Sequence, residues 1–149
     1  MNDAENWPMA QRLDFSVPLV AGKARPRVTA CGTYTPRATL DAEDEVITAF
    51  RDAANARARF EPAPKGCPVG VWISVQRAMP ESRPKSRRYE QDVYKPDPDN
   101  IAKLVLDALN GEAWADDAQV VELAVRKVPR RRGQSDMTHV RIEWPHNIF

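Results

Sequence analysis

The hydrophobic residues of this chain change their spacing several times, and the order of those changes restricts the fold. Apolar residues that alternate with polar ones, the period of a half-buried strand, occupy four segments: residues 13–19, 69–75, 119–128 and 138–144. Two other segments, residues 42–53 and 101–108, repeat their apolar residues at the helical period. We therefore predict the order β-α-β-α-β-β, a single α+β domain with one mixed four-stranded sheet and two main helices.

Local signals set the expected ends of the two helices. In the first segment, Thr39 can cap a helix that runs to about Arg59. The second helix is expected to run from roughly Asn100 to Asn110, followed by Gly111 in the position where a left-handed residue ends many helices. The second helix therefore begins directly after an acidic turn.

The composition is that of one folded domain. With 149 residues, of which 42% are hydrophobic, the chain can bury roughly 70% of the surface of its unfolded form. We expect a tail over residues 1–11 and one domain over residues 12–149. Pro18 cannot donate a backbone hydrogen bond, so the first strand is expected to lie at an edge of the sheet or to end there.

The sequence also argues against several classes of protein. No apolar run approaches the roughly 20 residues of a membrane span, and the acidic start of the chain is unlike a secretory signal. Cys31 and Cys67 are isolated, and His139 and His146 are the only histidines, which disfavours a zinc site or a histidine triad. We therefore expect a cytoplasmic protein with no membrane contact and no nucleotide cofactor.

Positive charge is concentrated in short stretches, although the net charge is only +1. Residues 83–95 carry five basic side chains against two acidic ones, and residues 126–132 carry five basic side chains and no acidic one. Such stretches are either solvated surfaces or the footprint of a polyanion. On the second interpretation, and with a further basic loop near the N-terminus, the candidate DNA contacts are Lys23, Arg25, Arg27, Arg83, Lys85, Arg87, Arg88, Lys95, Arg130, Arg131 and Arg132.

Acidic residues stand in pairs at both ends of the second helix. Asp97 and Asp99 precede the helix, and Asp116 and Asp117 precede the third strand. Because that strand returns to the same sheet, Asp117 can approach the first pair. Three carboxylates, with water in the remaining positions, suit Mg²⁺ or Mn²⁺. A small metal site flanked by basic loops favours phosphodiester chemistry.

A purely structural interpretation of the same residues stays open. Asp99 can cap the helix, and Asp97 can favour the helix dipole. Lys103, four residues after Asp99, can form an i,i+4 ion pair on the face away from the core. On this interpretation the aspartates bind no metal and the domain does not bind DNA.

The central part of the chain resembles a known family. The segment "KPDPDNIAKLVLDALNGEAWADDAQVVELAVRK", residues 95–127, is similar to the signature of the RusA family of Holliday-junction resolvases, the phage and prophage endodeoxyribonucleases. It combines a D-x-D-N-x-x-K motif, a "DALNG" helix and a W-x-D-D-x-Q-V strand entry. "GKARPRV" and "TYTPRAT" resemble the N-terminal segment of phage-type members, and the resemblance covers roughly residues 12–144.

The resemblance implies roles for individual residues. Asp97, Asp99 and Asp117 correspond to the acidic, Mg²⁺-binding residues of the family, and Lys103 corresponds to its catalytic lysine. Pro98 departs from the family pattern, in which an aliphatic residue is usual between the first two aspartates. Proline fixes φ and biases Asp97 toward extended backbone.

Together, the residues and the resemblance lead to one functional expectation. We expect a Mg²⁺-dependent endodeoxyribonuclease, with Mn²⁺ as a substitute metal, that resolves four-way DNA junctions in recombination and repair by paired phosphodiester hydrolysis. The resemblance also implies a homodimer, which we expect at the nucleoid when it is bound to DNA. The alternative is a non-catalytic protein that binds branched DNA and has an impaired metal site.

Overall fold

The computed structural model describes residues 7, 9–57 and 60–146. This part of the chain forms eight β-strands and two α-helices, and a 3-10 turn over Asp117–Gln119 precedes the sixth strand. The bounds are β1 Gln11–Val17, β2 Arg27–Thr29, β3 Gly32–Tyr34, α1 Arg37–Asn55, β4 Val69–Gln76, β5 Tyr89–Glu90, α2 Pro98–Leu109, β6 Val120–Lys127, β7 Arg130–Arg131 and β8 Met137–Trp144.

Four of the strands form one mixed sheet in the order β1-β8-β4-β6. β8 pairs antiparallel with both β1 and β4, whereas β4 and β6 are parallel. The predicted α+β domain with one mixed four-stranded sheet and two main helices is therefore confirmed, as is the edge position of the first strand. β6 and β8 are consecutive strands of this sheet in chain order, but β4 lies between them, so the chain that joins them crosses over and does not form a hairpin.

The core lies between the helices and one face of the sheet. The inward residues of β1, β4 and β8 alternate with outward ones, as the sequence predicted, and both helices bury their apolar stripes. Phe15, Phe50, Phe60 and Trp144 make a chain of edge-to-face contacts, with ring centroids 5.5–5.9 Å apart. None of the helices in the described residues is long and apolar enough to span a bilayer.

The predicted bounds of α1 are wrong. The helix begins at Arg37 after Pro36, whose carbonyl accepts the backbone N–H of Thr39 at 3.1 Å. Thr39 therefore lies inside the first turn and does not cap the helix; it is buried, and its hydroxyl accepts from the N–H of Ala24 at 3.4 Å. The helix ends at Asn55, and Arg59, the predicted end, lies outside the described residues.

α2 begins two residues earlier than predicted, at Pro98. Proline is well suited to the first helical position because the N–H it lacks would have no partner there. The helix ends at Leu109 and is followed by Asn110 and by Gly111, whose φ of 79° confirms the predicted left-handed conformation. Because the helix starts two residues earlier than predicted, Asp97 lies immediately before its first residue.

One buried glutamine holds the connector between α2 and β6. Oε1 of Gln119 accepts hydrogen bonds from the backbone N–H groups of Ala115 and Asp116, both at 3.0 Å. Its Nε2 donates to the carbonyls of Pro64 at 2.8 Å and Cys67 at 3.0 Å. Gln119 thereby fixes the connector against the loop that precedes β4.

Replacing Gln119 by Ala should lower the free energy of unfolding by roughly 2–4 kcal/mol, because several buried backbone groups lose their partners. Equilibrium unfolding in urea measures the difference. Gln76→Ala is the control, since the partly exposed Gln76 donates to the carbonyl of Ser135 at 3.3 Å near the surface. Equal losses in the two variants would contradict this role for Gln119.

Candidate active site

The start of α2 carries two acidic residues. Asp97 occupies the cap position, but its carboxylate makes no capping bond and accepts from Nζ of Lys95 at 2.8 Å. Asp99 lies in the first turn and is exposed. Because the helix dipole favours negative charge here, both carboxylates are stable at this position. The structural interpretation in which Asp99 caps the helix is wrong.

Lys103 is exposed one turn after Asp99. An i,i+4 ion pair does form in α1, where Arg37 and Asp41 approach to 3.0 Å. Among the described residues, no such pair joins Lys103 to Asp99. Lys103 and Asp99 therefore both face solvent from neighbouring turns of α2.

Asp117 opens the 3-10 turn that follows the connector. Trp114, which is 1% exposed, donates from Nε1 to Oδ1 of Asp117 at 2.8 Å. The pKa of Asp117 is raised, mainly because the side chain is partly buried. The hydrogen bond from Trp114 lowers this pKa, whereas the nearby carboxylates of Asp107 and Asp116 raise it further. Asp117 is thus a half-buried carboxylate with two other carboxylates, Asp107 and Asp116, near enough to raise its pKa.

Lys23 ties the segment after β1 to both helices. Its Nζ lies 2.5 Å from Glu43 on α1 and 3.1 Å from Asp107 on α2, and its backbone N–H donates to the carbonyl of Asn100 at 2.9 Å. Burial lowers the pKa of Lys23, but the two carboxylates outweigh that effect and raise it. We predicted that Lys23 contacts DNA; the structure instead commits its ammonium group to the protein.

The carboxylates at the two ends of α2 do not form a ready-made metal site within one chain. In residues 7, 9–57 and 60–146, no three His, Cys, Asp or Glu side chains are grouped so that they could hold a metal ion. The convergence of Asp97, Asp99 and Asp117 stays a prediction. Their chemistry fits the implied metal, because carboxylate oxygens are the ligands that Mg²⁺ and Mn²⁺ prefer and Asp117 lies in surroundings that a cation would stabilise.

The basic stretches meet in a two-stranded ribbon formed by β5 and β7. On its inner face, Glu90 accepts from Arg83 at 2.9 Å and from Arg130 at 2.5 Å. The hydrogen bond from Arg83, followed by that from Arg130, lowers the pKa of Glu90 to about 2. Arg130 is only 5% exposed, so its charge belongs to the interior of the ribbon.

A buried ion pair anchors the ribbon to the sheet. The side chain of Asp92 is fully buried and accepts two hydrogen bonds from Arg77, at 2.8 and 3.0 Å, just after β4. Burial raises the pKa of Asp92, but Arg77, together with the charge of Lys127 and the backbone hydrogen bond from Tyr94, outweighs that effect and the net shift is downward. Lys127 at the end of β6 lies 3.9 Å from Asp92 and donates to the carbonyls of Tyr94 and Pro96.

The structure divides the predicted DNA contacts into two groups. The first group is bound to other parts of the protein and contains Lys23, Arg83, Arg130 and Arg132. Arg132 donates to the carbonyls of residues 83, 84 and 87. The second group remains exposed: Arg25, Arg27, Lys85, Arg87, Arg88, Lys95 and Arg131. A basic stretch in this chain therefore serves both to build a loop and to present charge.

Two acidic residues that the sequence did not single out are important for this arrangement. Asp107 lies one helical turn after Lys103, so the helical period could have placed it on the same side of α2. Asp92 is one of two acidic residues among five basic ones in residues 83–95, so cations that could pair with it are close in sequence. Neither pattern alone distinguishes a buried partner from an exposed one.

These features define a class of protein: an α+β domain in which an acidic helix start directly follows a cationic ribbon. A family model described as Endodeoxyribonuclease RusA matches residues 18–143, most of the chain. The protein therefore belongs to the RusA endodeoxyribonuclease family, and the resemblance found in the sequence is confirmed.

A curated protein is also similar to part of the chain. It is Uncharacterized protein YqaN of Bacillus subtilis (strain 168), which is 40% identical over 68 residues. The similarity covers 40% of this chain and 48% of YqaN, so the chain matches about half the length of that relative.

Glu90→Gln should destabilise the protein at neutral pH and lose its effect in acid. The folded pKa of about 2 lies below the ordinary value of 4.5, so the stabilisation is complete above about pH 4.5 and is lost as the pH falls toward 2. The difference in Tm between the wild type and the variant should therefore narrow steadily below pH 4.5. Glu81→Gln, on the same loop, is the control. A Tm difference between the wild type and Glu90→Gln that stays constant with pH would contradict this explanation.

Proposed function

We propose that this protein is a Mg²⁺-dependent endonuclease, with Mn²⁺ as a substitute metal, that cuts four-way DNA junctions as a homodimer. The observation that carries the proposal is the RusA family match, which spans both acidic motifs and the whole of α2. The exposure of Asp99 and Lys103 on neighbouring turns supports it, because groups that act on a phosphate must be reachable from solvent.

In this proposal Asp97, Asp99 and Asp117 hold the metal ion. Trp114 fixes Oδ1 of Asp117 at 2.8 Å and so orients its other oxygen for a ligand. When bound, the metal would supply Lewis acidity toward the scissile phosphate and a more acidic water. Lys103 would stabilise the negative charge that develops on the phosphate oxygens.

The exposed cations of the second group would hold the DNA backbones. Lys85, Arg88 and Arg131 lie on or beside the ribbon, and Arg25 and Arg27 lie on the segment before and in β2. Contacts of this type release counterions, so affinity should fall steeply with salt and carry little sequence information. Selectivity for junctions would then come from the shape of the DNA.

A homodimer suits the substrate because a four-way junction has two equivalent strands to cut. Two identical sites related by a two-fold axis match that symmetry, whereas one chain would release a nicked junction between cuts. A mixed dimer of wild-type and Asp99→Asn chains should therefore nick one strand per binding event. A single-chain mass at working concentration, with paired nicking intact, would rule the dimer out.

Changing Asp97, Asp99 or Asp117 to Asn should abolish Mg²⁺-dependent nicking of a synthetic four-way junction and leave binding intact. Each change removes one charge while nearly preserving the shape of the side chain, so DNA affinity should be retained or rise slightly through reduced repulsion. Gel assays with labelled strands measure cleavage, and titrations without divalent metal measure binding, with a linear duplex of the same arm sequence beside the junction.

Asp116→Asn is the matched control, because Asn can keep the hydrogen bond that the Asp116 side chain accepts from the N–H of Ala118 at 3.0 Å. Normal cleavage by Asp117→Asn together with loss in Asp116→Asn would show that the wrong member of the pair was chosen. A wild type that binds junctions but never cuts them would support the non-catalytic alternative, which the absence of a three-carboxylate group within the described residues favours.

Lys103→Ala should leave the Tm nearly unchanged and lower cleavage by orders of magnitude. The exposed side chain makes no ion pair with Asp99, and exposed pairs of this kind contribute only about 0.3–0.5 kcal/mol when they do form. Lys65→Ala removes another exposed lysine and is the control. Small, equal losses of cleavage in the two variants would place Lys103 outside the chemistry.

A further inference from the structure

The ribbon has an outer face that takes no part in the proposed hydrolysis itself. In the antiparallel register, Glu90 lies opposite Arg130 and Tyr89 lies opposite Arg131. Adjacent residues of a strand point to opposite sides, so the first pair faces the protein and the second pair faces solvent. The structure agrees: Arg130 is 5% exposed, whereas Tyr89 is 65% exposed.

Three large apolar side chains are exposed on β5 and just after it: Tyr89, Val93 and Tyr94. Tyr89 is 65% exposed, and Val93 is 79% exposed directly after the fully buried Asp92. Tyr94, between Val93 and Lys95, is 44% exposed, and the guanidinium of Arg130 lies over one face of its ring, 4.4 Å from the centroid. The ion pairs below therefore fix the backbone from which Tyr89 and Val93 project.

The charge around this face favours a nucleic acid over a second copy of the chain. Lys85, Arg88 and Arg131 are exposed on the same loop and ribbon, while the carboxylate of Glu90 is paired with Arg83, Arg87 and Arg130. Two copies that met through this face would bring like charges together. A polyanion with flat apolar rings complements both the cations and the tyrosine.

We propose that Tyr89 stacks on a base that is exposed at the branch point of the junction, with Arg131, its partner across the ribbon, on the adjoining phosphate. This inference rests on the proposed function and adds a means of selecting branched DNA. A branch interrupts the stack of base pairs and uncovers base faces, which a continuous duplex does not offer. Tyr89 would therefore act as a specificity residue and take no part in hydrolysis.

Stacking and phosphate contact can be separated by their dependence on salt. A phosphate contact releases counterions, so its removal flattens the plot of log affinity against log salt. Stacking on a base releases none and leaves the slope unchanged. The two neighbours on the outer face, Tyr89 and Arg131, should thus give different signatures.

The test compares binding of a four-way junction and a linear duplex of the same arm sequence, without divalent metal so that no strand is cut. Tyr89→Ala should weaken junction binding roughly tenfold, the scale of one base–aromatic stack, with the salt slope and duplex affinity unchanged. Tyr89→Phe keeps the ring and should bind like the wild type. Arg131→Ala should weaken both DNAs and lower the slope by about one.

Leu40→Ala is the control, because Leu40 is an exposed apolar residue, 41% exposed, on α1 beside Asp41. A junction with 5-iodouracil at the branch provides a second measurement: ultraviolet light should crosslink it to Tyr89 of the wild type. Equal losses on junction and duplex, a changed salt slope or a changed oligomeric mass in Tyr89→Ala would each overturn the inference. If the wild type binds no junction, the proposed function fails as well; if it binds and Tyr89→Ala binds equally, only this inference fails.

Discussion

The buried ion pair between Arg77 and Asp92 is the contact on which the functional surface depends. It joins the residue after β4 to the start of the loop between β5 and α2. Lys127 adds a second tie from the end of β6 to the carbonyls of Tyr94 and Pro96. A buried ion pair of this kind adds little net stability compared with well-packed apolar residues in the same place, but removing one partner leaves the other as an unpaired buried charge. Its effect is therefore to specify one path for the loop.

That path decides how the charged residues of the loop are used. A cluster of arginines would repel itself if each guanidinium faced solvent, and here Glu90 and Asp92 neutralise the inner layer. The outer layer can then remain cationic without destabilising the ribbon. Lys23 acts similarly on the other side of α2, where it compensates the carboxylates of Glu43 and Asp107.

The sequence predicted the layers of the fold better than the positions of its charged groups. Alternation and helical spacing depend on burial alone, so the sheet and α2 could be predicted from a single chain. The predicted start of α1 was wrong because the helix begins directly after Pro36, so that Thr39 lies inside its first turn. Whether an arginine faces DNA or a carboxylate depends on long-range pairing, as for Arg130 and Glu90, which lie 40 residues apart. No local pattern contains that information.

The edge position of β1 has a consequence for how the domain can be divided. The match to the RusA family model begins at residue 18, just after β1 ends. β1 nevertheless pairs along all seven of its residues with β8, and Phe15 contacts Phe50 in the core. A protein trimmed to the shared segment would turn the central strand β8 into an open, aggregation-prone edge. The unit that folds therefore includes residues 11–17, which lie outside the match to the family model.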